Sequence, residues 1–177
     1  MKLNQLCTLS ALALSPLTVQ GAIALTDSGF STVFGDTTAD AEFANVNVSG
    51  ANNMLVIGIS GEDAFTPASP PSFSVTWGTT TITTSTITEV SSSDRNYSAI
   101  YVLSGLTAGT NNLTVTSAGS QTWRAGFVSL TSADGELGIA EAVGNGGSGT
   151  SFSLNFAEDT SDKFVFGAAN WNSATPT

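Results

Sequence analysis

The sequence predicts an all-β protein, a two-sheet antiparallel β-sandwich of jelly-roll type, and three observations predict it. Apolar residues alternate with polar ones along segment after segment, the period of a strand with one buried face. Clusters of Gly, Pro, Asn and Ser separate these segments and mark turns. No window carries the 3.6-residue apolar stripe of a core-facing helix, and no repeat of fixed period points to a propeller or solenoid.

The elements follow in order. Ala44, Val46 and Val48 alternate with Asn45, Asn47 and Ser49, which predicts a strand with those three on one face. A loop from Ser49 to Asn53 precedes Met54–Ser60, an almost continuous apolar run. Such a run predicts a central strand covered on both faces. Pro67–Ser72 is barred from a central strand, because proline has no N–H for the ladder. Phe73, Val75 and Trp77 then share one face, and Ser98–Leu103 predicts a second central strand. Ala108-Gly109-Thr110-Asn111 reads as the tight turn of a hairpin joining the Tyr101 strand to the Leu113 strand. Leu113 and Val115 share the next face, and Trp123, Ala125 and Phe127 the one after. Gly144–Gly149 reads as a flexible loop. Phe152, Leu154 and Phe156 alternate with Ser153 and Asn155, and Phe164 and Phe166 open a last strand toward Ala169.

Residues 1–24 read as a cleavable secretory signal peptide. Lys2 supplies the positive end, Leu6–Leu14 the apolar stretch, and Ala22-Ile23-Ala24 an A-x-A cleavage site, so the mature chain is expected to begin at Leu25. The apolar stretch falls well short of the ~20 residues that span a bilayer. Cys7 is no lipidation site, because Leu6 stands where a small residue is required. Residues 25–177 are expected to form a single β-sandwich domain. The sequence stops at Pro176-Thr177 directly after a strand, where a sandwich needs one more to cover its core. The domain is therefore expected to be truncated at its C-terminal end, the first part of a longer reading frame.

Charge is sparse and one-sided. Four Lys and Arg stand against fourteen Asp and Glu, a net charge of −10. Removing the leader takes Lys2 with it, so three cations face fourteen anions and the mature charge is −11. That field repels polyanions, and no basic stripe exists to neutralise phosphates. Neither a nucleic-acid partner nor an anionic lipid surface is expected.

The chemistry on offer is narrow. With no His in the sequence and its single Cys in the leader, Ser-His-Asp and Cys-His catalysis, thiolate or imidazole zinc sites and disulfides are excluded for the mature domain. Carboxylate pairs of the glycosidase kind need ~5–9.5 Å between acids. Glu89, Glu136 and Glu141 are the candidates, and none has a second acid two residues away on a strand. No catalytic or metal-ligating set is expected, and no cofactor. Calcium is the one ion that suits acidic loops, at Glu62-Asp63 or at Glu158-Asp159 with Asp162, though neither has EF-hand spacing. Gly144–Gly149 lacks the Asp of a calcium-binding nonapeptide.

Trp77, Trp123, Trp171, Tyr97 and Tyr101 are available for a sugar-stacking platform, yet Trp77 shares a face with Phe73 and Val75, and Trp123 with Phe127, which favours core packing. The Thr-rich run Thr79–Thr88 has the composition of an ice-binding array but no second run to stack on, and Thr is simply a good strand former. The sequons at Asn47, Asn96 and Asn112 are what chance supplies in a chain rich in Asn, Ser and Thr.

The stretch from Ile100 to Thr116, Ile-Tyr-Val-Leu-Ser-Gly-Leu-Thr-Ala-Gly-Thr-Asn-Asn-Leu-Thr-Val-Thr, resembles a hairpin of exported bacterial β-sandwich domains. In those domains an aromatic-rich strand leads through an Ala-Gly-Thr turn to a Thr/Val strand. Trp123–Leu130 resembles the Ala/Gly-rich strand that follows, while Asn53–Gly61 and Val75–Gly78 fall where that pattern places a Val/Ile strand and a small Gly turn. Many such domains belong to PEP-CTERM-type proteins, which end in a Pro-Glu-Pro motif, a transmembrane helix and a basic tail. No such tail occurs before Thr177. The resemblance covers most of the mature chain and implies an exported envelope or matrix protein, with no catalytic residues to carry over.

The expectation is a non-enzymatic exported β-sandwich, secreted or at the cell surface, with a structural or adhesive role. Its expected partners are extracellular polysaccharide or envelope components, and its mature chain is expected to hold no transmembrane helix. The rival readings are a carbohydrate-binding module and a fragment of a carbohydrate-active enzyme using carboxylates. Export predicts that amino-terminal sequencing of the protein recovered outside the cytoplasm starts at Leu25; a start at Met1 overturns the leader.

Overall fold

The computed structural model describes residues 23–31, 34–37, 40–62, 72–91, 96–119, 121–133 and 137. Their strands are β1 (Ile23–Phe30), β2 (Phe34–Thr37), β3 (Ala41–Val48), β4 (Asn52–Glu62), β5 (Phe73–Trp77), β6 (Thr80–Ile82), β7 (Ile87–Ser91), β8 (Asn96–Ser104), β9 (Gly109–Ser117) and β10 (Gln121–Ser132). One sheet has the order β1-β10-β4-β8-β7, with β2 continuing the β1 edge along the far end of β10. The other has the order β3-β9-β5-β6. All pairings are antiparallel. The expected sandwich is the fold, and β1-β10-β4-β8 over β3-β9-β5-β6 is the strand order of a jelly roll, with β7 added at one edge.

In this topology the chain changes sheet at most connections, and β5–β6 and β7–β8 are the hairpins. The β5–β6 turn is Gly78-Thr79, where Gly78 takes φ +58°. A two-residue hairpin with positive φ at its first position asks for glycine, which alone adopts it without strain.

Two sequence expectations are corrected by this arrangement. Ala108–Asn111 is not the turn of a hairpin between the Tyr101 and Leu113 strands, because β8 and β9 lie in different sheets. The chain passes between the sheets at Gly105–Ala108, with its positive φ at Gly105, and Gly109–Asn111 already belong to β9. Hairpin and crossover have the same local pattern; only the partners of the two strands distinguish them. Ala44 does not share the face of Val46 and Val48. β3 spends three steps between Phe43 and Val46 where β9 spends two between Leu113 and Asn111, which is a β-bulge. The extra residue, with Asn45 at φ 59°, turns Ala44 outward while Ala41, Val46 and Val48 are buried.

The loop read at Ser49–Asn53 ends earlier, since Asn52 and Asn53 already belong to β4; the apolar strand segments hold as read. Met54–Ile59 is buried on both faces at the centre of its sheet, and Ser98–Leu103 lies in β8, between β4 and β7. Phe73, Val75 and Trp77 face Leu55, Ile57, Ile59 and Trp123 across the core. Phe73 joins the two layers, its ring centroid 5.2 Å from that of Trp123 and 5.8 Å from that of Tyr97. Phe43 meets Phe127 edge-on at 5.0 Å, the geometry aromatic quadrupoles favour. Pro67–Pro71, Gly144–Gly149, Phe152–Phe156 and the strand from Phe164 lie outside the described residues.

One buried polar side chain organises an end of the sandwich. Asn53, in β4, donates through Nδ2 to the carbonyls of Gly50 and Leu106, both at 2.8 Å, and accepts the Leu106 N–H at Oδ1 over 2.9 Å. Its own carbonyl accepts from Gly105 N–H at 3.2 Å. The β3–β4 and β8–β9 crossings are thereby tied to one residue. Asn53→Leu keeps the branching but strands the Leu106 groups in the interior, so chemical denaturation is expected to show a loss of roughly 2–4 kcal/mol. Thr81→Ala, at an exposed hydroxyl pair with Thr76, is expected to stay within about 0.5 kcal/mol of the parent.

Candidate functional site

The residues that sequence reasoning offers for chemistry are dispersed or internal. Trp77, Trp123, Tyr97 and Tyr101 are all buried among the core side chains. Alternation carries them inward along β5, β10 and β8, so these four form no sugar-stacking surface. Trp171 lies outside the described residues. Glu89 sits on β7 opposite Ser98, and Glu62 ends β4 opposite Asn96 and Thr122. Asp63, Glu136, Glu141, Glu158, Asp159 and Asp162 lie outside the described residues. Among the described residues, no three His, Cys, Asp or Glu side chains gather as a metal site would require, and no helix is long and apolar enough to cross a membrane. The Thr-rich run is split between sheets, Thr80–Ile82 in β6 and Ile87–Ser91 in β7, so it presents no flat array.

What the fold does build is a pair of outer faces of opposite character. On the four-stranded sheet, Leu113 and Val115 point to the core, so Thr114 and Thr116 point out. Their neighbours across the ladder are Thr76, Ser74 and Glu42, and Thr76 shares a 2.8 Å hydroxyl hydrogen bond with Thr81. Asn112 and Thr110 extend this face toward the β9 start. It is a surface of hydroxyls and amides with little charge.

The outer face of the larger sheet is apolar. Register aligns its rungs: Leu25, Leu130 and Met54 in one, then Val128, Val56 and Val102 in the next. The third runs from Phe30 across Gly126 and Gly58 to Ile100. The Phe30 ring lies over Gly126, where a Cβ would meet it at 2.5 Å and displace it. The face becomes polar one rung further on, at Arg124, Ser60 and Ser98.

The margin between the faces is closed at β1, an edge strand that sequence reasoning missed. Asp27 accepts the Asn47 N–H of β3 at 2.8 Å and the N–H of Ser28 at 2.8 Å. Thr26 donates its hydroxyl to buried Ser129, with both the carbonyl and Oγ of Ser129 within 3.0 Å. Both contacts arise at a bulge, where β1 advances from Leu25 to Asp27 while β10 advances one residue. Thr26-Asp27-Ser28 sits beside the expected cleavage site and breaks the alternation, so no local period announces the strand. Its one local signal is the pair of apolar residues Leu25 and Phe30.

No family model, curated protein or solved structure matches this chain. None of these comparisons identifies the PEP-CTERM-type domain that Ile100–Thr116 resembles.

The clearest electrostatic signature is internal. Burial pushes the Tyr101 hydroxyl above its ordinary pKa of 10.0, and a hydrogen bond with the Phe73 backbone pulls it part of the way back. The folded state therefore holds this proton more tightly than the unfolded chain. Its stabilisation is fully present below the unfolded value and is lost as pH climbs through the raised folded value. Thermal melts between about pH 9 and pH 11 are expected to show a falling melting temperature. Tyr101→Phe should fall less steeply over that interval than the parent.

Proposed function

We propose that this chain is an exported, non-enzymatic β-sandwich that acts at the cell envelope or in the extracellular matrix by surface contact, in a structural or adhesive role. The observation that carries the reading is the division between a hydroxyl-bearing outer face and an apolar one on a single rigid sandwich. The Thr114, Thr116, Thr76 and Ser74 face offers hydrogen-bond donors and acceptors on a flat sheet, suited to the hydroxyls of a polysaccharide. Contacts of this kind are individually weak, and many copies in a matrix make them effective together. The inward placement of Trp77, Trp123, Tyr97 and Tyr101 favours this diffuse contact over a stacked-sugar pocket.

Export is compatible with the pairing of the described β1 strand. β1 begins at Ile23, so cleavage after Ala24 trims two residues from an edge strand and leaves Leu25–Phe30 paired with β10. The Asp27 and Thr26 contacts that close the margin all lie on the retained side.

The test is fractionation followed by sedimentation with exopolysaccharide from the same cells. The expected protein is found outside the cytoplasm and co-sediments with the polysaccharide. Thr76→Ala with Thr114→Ala is expected to weaken co-sedimentation severalfold while leaving the melting temperature within a few degrees of the parent. Retention in the cytoplasm, or a hydrolytic activity that vanishes in Glu89→Gln, overturns the proposal.

A further inference from the structure

The bond expected to be cut after Ala24 lies inside a paired strand. β1 begins at Ile23, and its ladder with β10 runs through that bond: Ile23 faces Ser132, Ala24 faces Thr131 and Leu25 faces Leu130. The side chains on either side are accessible, with Ile23 36 % exposed and Leu25 55 %. What the fold withholds is backbone. The peptide between Ala24 and Leu25 carries the Ala24 carbonyl and the Leu25 N–H. Facing residues of an antiparallel ladder alternate between exchanging both their hydrogen bonds and exchanging none. Ala24 and Leu25 belong to successive pairs, so one of the two polar groups of this peptide is bound to β10.

The strand is also held just beyond that bond. Thr26 donates to Ser129, and Asp27 accepts the Asn47 N–H and so ties β1 to β3. At the far end of the strand, the Ser31 N–H donates to the Ala125 carbonyl at 2.9 Å, and the Ala125 N–H donates to Ser31 Oγ at 3.0 Å. A peptidase takes its substrate as an extended strand and supplies the backbone hydrogen bonds itself. Its own donors must also reach the attacked carbonyl oxygen, where charge develops. A strand already paired with β10 has to lift away before either can happen. Lifting breaks the Thr26 and Asp27 contacts as well as the ladder.

We propose that closure of β1 onto β10 shuts the cleavage site, so that processing of this chain has to precede folding of its N-terminal edge. This order rests on the reading of residues 1–24 as a leader. A chain that is cut first closes with Leu25–Phe30 as its edge strand. A chain that folds first keeps Ile23 and Ala24 in the sheet and stays joined to residues 1–22. The ladder that completes the larger sheet therefore also decides which chains are released, and only local opening of β1 gives a folded precursor a second chance.

Cleavage by purified signal peptidase in mild detergent, followed by product mass, tests this on the full chain. Ile57→Asp puts a charge at a fully buried core position and is expected to leave the chain unfolded with its leader intact, so it measures recognition of the site. That variant is expected to be cut after Ala24, and the folded parent roughly tenfold or more slowly, because cutting follows the population of the open strand. Equal rates overturn the proposal and leave the leader reading standing. No cut after Ala24 in Ile57→Asp overturns both. Thr26→Val with Asp27→Ala asks whether β1 is the seal, since both changes loosen that strand and leave positions 22–24 as they are. This double variant is expected to melt cooperatively and to be cut severalfold faster than the folded parent; an unchanged rate overturns the proposal. If it fails to melt cooperatively, the comparison of the parent with Ile57→Asp decides the outcome.

Discussion

The burial of β4 on both faces is the constraint on which the rest of the structure depends. Leu55, Ile57 and Ile59 need a second sheet beneath them, and Met54 and Val56 need a cover above. A strand of this kind cannot lie at an edge, so β10 and β8 must flank it, and each then carries its own apolar side chains to both faces. Phe73, Val75, Leu113 and Val115 of the smaller sheet answer the inner face, while its own outer face stays polar. The two outer faces differ because β4 is apolar from Met54 to Ile59, whereas β5 and β9 alternate apolar with polar residues.

Such an arrangement forces the chain to change sheet repeatedly, and polar side chains, one buried and one at the margin, hold it in place. Asn53 satisfies the backbone of the two crossings that meet at the start of β4, with Gly50 on one side and Leu106 on the other. Asp27 performs the corresponding task at the margin, bridging β1 to β3 through the Asn47 N–H. Each gives a partner to backbone groups at a place where no ladder can reach. Fixing the crossings also fixes the register, and therefore which residues reach the outer faces.

That distribution gives the functional reading its shape. A chain without His, whose single Cys is Cys7, has few routes to acid–base or covalent chemistry. Phe73, Trp77, Tyr97, Tyr101, Trp123 and Phe127 are buried in the core between the two sheets. Among the described residues, what faces outward is a hydroxyl-bearing surface on one sheet and an apolar surface on the other. The acidic balance of the chain adds repulsion from polyanions and hydration to the exposed surface.

Strand existence and facing were written in the sequence wherever alternation was unbroken. Phe73-Val75-Trp77, Leu113-Val115 and Trp123-Ala125-Phe127 point inward as their period requires, and Met54–Ser60 was legible as central from its continuous apolar character. These are local properties, because a side chain two residues on always returns to the same face. The same pattern showed why the candidate aromatics belong to the core. Tertiary structure alone decided the pairing: that β8 and β9 part into different sheets, that the Thr-rich run divides between β6 and β7, and that a bulge at Ala44-Asn45 and another at Thr26 shift the phase. Register and bulges depend on a partner strand that is distant in sequence, as β1 is from β10. No local period records that partner, so the alternation of each strand was determined by the sequence by itself and its neighbours by the packing of the whole sandwich.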